Sequence, residues 1–129
     1  MQMDMIGIFT DRIDDMKRFY SDALGLRIVE DLGKYVEFEG ASIRLAICER
    51  QVMSETVGDT GYDQPHTGHA FELAFKCDSA ADVDQAFQGL VEKGARQIKP
   101  PSTMPWGQYA GFFADPDGNI HELFAPTAT

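Results

Sequence analysis

The 129-residue chain is poor in three things. It has two cysteines, Cys48 and Cys77, and no CxxC pair, which reads as two reduced thiols in an intracellular protein rather than a disulfide framework. It is short of positive charge. Eleven Lys and Arg face 21 Asp and Glu, for a net charge of −10. Such a surface repels nucleic acid and anionic membranes, and the basic residues do not cluster, so no nucleic-acid partner is expected. No apolar run approaches the ~20 residues of a membrane span. The start, MQMDMIGIFTDRIDD, has acids where a signal peptide needs Lys or Arg. A cytoplasmic protein with no membrane partner is expected. No GxSxG or P-loop pattern occurs.

What is present is organised twice. Hydrophobic residues make up 43% of the chain, enough for one domain or two half-size modules sharing a core. DMIGIF is a short apolar run suited to a strand. TDRIDDMKRFYSDALG then changes period: Ile13, Met16, Phe19, Tyr20, Ala23 and Leu24 share one face of a helix that Thr10 or Asp11 can cap. LRIVED, KYVEFEG and SIRLAICE follow as strands. Residues 50–68, RQVMSETVGDTGYDQPHTG, lack periodicity and hold turn formers, which marks a linker.

The order then repeats. HAFELAFKC is a strand, and SAADVDQAFQGLVEKG is a helix with Val83, Phe87, Leu90 and Val91 on one face. Ser79 with Asp82 resembles a capping box. ARQIKP, GQYAGFFA and NIHELF are strands, the last two joined by the DPDG turn. The expected fold is α+β: a single domain of two βαβββ modules, 1–49 and 69–129, joined by the 50–68 linker. Each module buries one sheet face under its helix, and the other faces curve together around a cavity.

FTDRIDDMKRFYSDALGL and FFADPDGNIHELF, set in paired βαβββ modules, resemble the vicinal oxygen chelate superfamily. Its members include glyoxalase I, extradiol dioxygenases, fosfomycin-resistance enzymes and bleomycin-resistance proteins. The resemblance implies a curved mixed sheet around a cavity, a small-molecule ligand and a homodimer. Its motifs mark the fold rather than the activity, because one fold hosts many chemistries.

Metal-dependent members hold a divalent ion with His, Glu or Gln at four positions, two in each module. The resemblance carries the first onto Met5, whose thioether suits only soft ions and reads as pocket lining. The second falls on Arg44, whose guanidinium has no lone pair to give. The third is Glu72 or His69. Strand parity favours Glu72, because His69, Phe71, Leu73 and Phe75 alternate with it and form the apolar set. The fourth is Glu122. Two plausible donors fall short of the three that a catalytic divalent site usually takes from the protein.

An unpaired carboxylate in a cavity demands a cation or a raised pKa. Arg44, paired with Glu122 or Glu72, is the expected cation in place of a metal. The loop and strand KPPSTMPWGQYAG bring Trp106 and Tyr109, as core filler or as a wall against which a ligand stacks. Two functions follow. In the first, a metal-free small-molecule-binding protein uses Arg44, Met5, Trp106 and Tyr109 to hold its ligand, with no cofactor. In the second, a lyase, isomerase or dioxygenase binds Zn, Ni, Mn or Fe through Glu122 with His69 or Glu72. In either, Glu72 and Glu122 are the candidates to move a proton.

Overall fold

The computed structural model describes residues 1–126. Residues 127–129, the end of the expected second module, lie outside the described residues. The chain divides into two compact units, the first Met1–Thr67 and the second from Gly68 onward. No described helix is long and apolar enough to cross a membrane.

The first unit runs β1 (Met5–Thr10), α1 (Ile13–Arg18), β2 (Ile28–Asp31), β3 (Tyr35–Phe38), β4 (Arg44–Glu49) and α2 (Arg50–Val57). Its sheet has the order β1-β4-β3-β2, with β1 parallel to β4 and the other pairs antiparallel. Register assigns the faces. Ile8 pairs with Ile47, which pairs with Val36, and Leu45 pairs with Phe38. These apolar residues are buried, together with Met16 and Tyr20. Alternation along each strand and the 3.6-residue period of the helix thus meet in one core. Each such side chain contributes roughly 1.5–3 kcal/mol when fully buried.

α1 is shorter than its apolar stripe predicts. Past Arg18 it loosens into a π-helical turn over Phe19–Ala23, with the Leu24 N–H bonded to the Phe19 carbonyl at 3.0 Å. The wider turn still buries Phe19 and Tyr20, whose rings meet edge to face at 5.3 Å. The expected cap is also corrected. Arg12 holds the N-cap position with no side-chain cap bond, while Thr10 Oγ1 accepts from the Arg12 N–H at 2.9 Å outside the helix.

Residues 50–68 are less irregular than expected. Arg50–Val57 is a helix and Thr60–Asp63 a 3-10 turn. α2 has no fully buried residue, so no apolar stripe marks it in the sequence.

The second unit runs β5 (Ala74–Lys76), α3 (Ala80–Glu92), β6 (Arg96–Thr103), β7 (Tyr109–Ala114) and β8 (Ile120–Ala125), with sheet order β5-β8-β7-β6. It repeats the topology of the first: opening strand parallel to closing strand, the rest antiparallel. Ser79 caps α3 by accepting from the Asp82 N–H at 3.1 Å. α3 packs against β6, β7 and β8. It approaches β7 so closely at Gly111 that a Cβ there would stand 2.9 Å from Pro101 Cγ and 3.0 Å from Phe87 Cδ2. β5 is only three residues long, a third of the expected strand, and β6 is longer than expected because it runs through Pro100 and Pro101. Both are edge strands. β6 absorbs its prolines with two register shifts, as an edge strand can.

The DPDGN turn is built on Asp115. Its carboxylate accepts from the N–H groups of Asp117 and Asn119, both at 2.9 Å, and from Asn119 Nδ2 at 2.8 Å. Gly118 takes φ +86°, which an L side chain adopts only under strain. Beyond the turn, His121 is fully buried, and its Nδ1 accepts from the Leu73 N–H at 3.1 Å. That acceptor fixes the ring proton on Nε2 in the neutral form and ties β8 to the approach of β5.

Candidate functional site

Each unit presents a second sheet face, opposite its helix, and Met5, Arg44, Glu72 and Glu122 fall there. In the first unit, Met5 and Arg44 are register partners on β1 and β4. Glu37 shares their face, because it pairs with Ala46, two residues on from Arg44. Arg44 Nη1 lies 2.8 Å from Glu37 Oε1, and the guanidinium also pairs with Asp4. Tyr35 donates its hydroxyl proton to Glu37 Oε1 at 2.9 Å, with its oxygen 3.5 Å from Met5 Sδ.

This network is electrostatically closed. The bond from Arg44, and then the one from Tyr35, holds the Glu37 carboxyl below the usual carboxylate range. Asp4 and Glu37 in turn raise the pKa of Arg44, which stays charged. Burial, and then the bond to Glu37, pushes the Tyr35 hydroxyl up. The sequence suggested Glu72 or Glu122 as the partner of Arg44. Both ion pairs are instead made inside the first unit, to Asp4 and Glu37. Glu37 was missed, although the alternation in KYVEFEG sets Tyr35 and Glu37 on one face and Val36 and Phe38 on the other.

The second unit has the opposite character. Glu122 is 7% exposed and is the register partner of Ala74, so Glu72 shares its face. The two carboxyl groups interact directly. Burial pushes the Glu122 carboxyl up, and the charge of Glu72 and a hydrogen bond to it push the same way. No ion pair to either acid occurs among the described residues. The pair is therefore suited to attract a cation or a hydrogen-bond donor, or to pass a proton.

The remaining candidates separate. His69 is exposed and precedes β5. Trp106 is 60% exposed, with its indole N–H donated to Gln108 Oε1 at 3.2 Å. Tyr109 donates to Asp84 Oδ1 on α3 at 2.6 Å, which puts it on the helix side of the sheet and away from the face of Glu122.

A divalent metal, as in part of the superfamily, is a poor match for these donors. At the first-unit positions stand a thioether and a guanidinium already fixed by two carboxylates. The second unit offers two carboxyls, and no group of three or more His, Cys, Asp or Glu suited to an ion occurs among the described residues.

Comparison with known proteins agrees with the geometry. The model of the Glyoxalase/Bleomycin resistance protein/Dioxygenase superfamily matches residues 2–123. The uncharacterized protein YraH of Bacillus subtilis (strain 168) is 31% identical over 119 residues, covering 87% of this chain and 91% of that protein. A glyoxalase/bleomycin resistance protein/dioxygenase from Nocardioides superposes with a TM-score of 0.86 at 24% identity, over 98% of this chain and 84% of that one. A family enzyme from Burkholderia phytofirmans PsJN superposes with a TM-score of 0.87 at 20% identity, over 97% and 98%. At such identities the two superpositions speak for the fold, while the matched sequence pattern, running from before β1 to Leu123 in β8, speaks for descent: this chain belongs to the glyoxalase/bleomycin resistance protein/dioxygenase superfamily.

Proposed function

We propose that this protein binds a small molecule without the divalent metal used by part of its superfamily. The observation that carries the reading is Arg44, opposite Met5 and fixed between Asp4 and Glu37. It supplies positive charge where a ligand to a metal ion would stand. A metal brought there would meet a permanent cation and find the nearest carboxylate, Glu37, already engaged.

The ligand chemistry follows from the other half. Glu72 and Glu122 form an acid pair with no cationic partner among the described residues, and the net charge is −10. A polar ligand bearing an amine or several hydrogen-bond donors fits that pair. Glu72, more exposed than Glu122, is the group placed to exchange a proton with solvent or ligand.

A second reading has one observation in its favour. Two adjacent carboxyls are half of a divalent site, and a lyase, isomerase or dioxygenase would need only further donors to complete it. Elemental analysis of protein purified without a chelating column separates the two. The metal-free reading expects Zn, Ni, Mn and Fe each well below one per chain. One equivalent of any of them, lost in Glu122→Ala, overturns it.

A further inference from the structure

At the far end of β1 from Met5 lies a cleft of about 590 Å³, within the first unit. Its walls include Phe9, Arg50, Asp59, Tyr62, Gln64 and His66. Phe9 is four residues along β1 from Met5, roughly 13 Å at the usual strand rise. The cleft is thus separate from the Arg44 network, and its size lies within the range of small-molecule pockets.

Its charges are unequal in how well they are satisfied. Asp59 is engaged, since its Oδ1 accepts from the Gly61 N–H at 2.8 Å. Arg50 is not. Its side chain is 16% exposed, and among the described residues its one hydrogen bond runs from Nη1 to the Gln64 carbonyl at 3.1 Å. Asp11 Oδ2 stands 3.6 Å from Nε, an ion pair but too far for a hydrogen bond, and the buried Nε–H has no acceptor among the described residues. A guanidinium has five N–H donors in a planar fork, and leaving them unpaired in a low-dielectric setting is costly. The cleft therefore holds a cation, ion-paired to Asp11, whose hydrogen-bonding capacity is only partly used, in a strongly acidic protein.

The rest of the wall selects the anion's body. Phe9 and Tyr62 meet edge to face at 5.2 Å, which offers an aromatic surface beside the guanidinium. Asp59 and the net charge of −10 oppose a dianion such as a phosphate monoester. We propose that this cleft is a second ligand site, which takes a small planar aromatic monocarboxylate. The carboxylate lies on the Arg50 fork, and the ring packs against Tyr62 and Phe9.

The test is ligand titration of the full chain by amide NMR, with benzoate as the probe. Benzamide, cyclohexanecarboxylate and inorganic phosphate serve as comparisons. Benzoate should give saturable shifts at the amides of Phe9, Tyr62, Gln64, His66 and Thr67. Benzamide should bind at least about tenfold more weakly, the ratio set by a lost charged hydrogen bond. Cyclohexanecarboxylate and phosphate should both bind more weakly than benzoate. Arg50→Gln should abolish the preference for benzoate over benzamide, and Arg50→Lys should restore part of it.

Because Arg50 also holds the Gln64 carbonyl, its substitution can disturb the loop. Asp11→Asn avoids this, as Asp11 does not line the cleft. It should leave the fold intact and leave benzoate affinity equal or higher. Equal binding of benzoate and benzamide, shifts centred elsewhere, no saturable shift, or lost binding in Asp11→Asn would each overturn the proposal.

Discussion

The two units share one topology and differ in what they place on the sheet face away from the helix. On the helix side they match. β3 supplies Phe38 and β7 supplies Phe113, both fully buried beside the packed helix. On the other side the first unit closes its charges, with Arg44 satisfied by Asp4 and Glu37 and with Tyr35 bonded to Glu37. The second unit buries Glu122 beside Glu72, with no ion pair to either acid among the described residues. Packing thus keeps the two halves alike, while the free face carries the difference on which chemistry depends.

The largest expected effects probe the shared side. Phe38→Ala and Phe113→Ala should each lower the free energy of unfolding by about 3–5 kcal/mol, measured by urea denaturation. Costs that differ by more than the spread of such truncations would break the equivalence of the two cores.

The next effect probes the acid pair. Glu122 has a raised pKa in the folded state, so the folded protein holds its proton to higher pH than the unfolded chain does. Stability therefore falls as pH rises from the unfolded value, near 4.5, through the folded one, and the full penalty is present above it. Glu122→Gln removes that penalty. Unfolding curves from pH 4 to 8 should show the variant gaining on the wild type as pH rises; a constant offset would contradict the pairing with Glu72.

The smallest effect has the opposite sign. Glu37 has a lowered pKa, so its stabilisation is present above the unfolded value, near 4.5, and is lost as pH falls through the folded one. Glu37→Gln loses that contribution at neutral pH, and its deficit should shrink as the solution is acidified. A deficit that persists at low pH would mean that packing, rather than the Arg44 bond, makes Glu37 useful.

The parts legible in the sequence were those written as apolar periodicity. The βαβββ order, α3 with its Ser79 cap, and the DPDGN turn all follow from spacing and turn chemistry. Strand parity put Glu122 and His121 on opposite faces, and in β7 they pair with Phe112 and Phe113 respectively. Three features were harder to read. α2 has no fully buried residue and so has no stripe. β5 is short, and ahead of it the Leu73 N–H bonds to His121, a contact 48 residues away in sequence. Arg44 was read against distant acids, whereas strand pairing brings it Glu37 from the next strand. That pairing is set by register, which a local pattern does not encode.

The central claim is that Arg44 occupies the place of a metal ligand, and calorimetric titration of Arg44→Glu with Zn²⁺ and Mn²⁺ tests it most directly. The substitution sets a third carboxylate beside Asp4 and Glu37 and removes the fixed cation. The variant should take up one divalent ion per chain with an affinity at least about a hundredfold above any wild-type binding, a difference of roughly 2.7 kcal/mol. A variant that gains nothing, or a wild type that itself binds one ion per chain, would contradict the account.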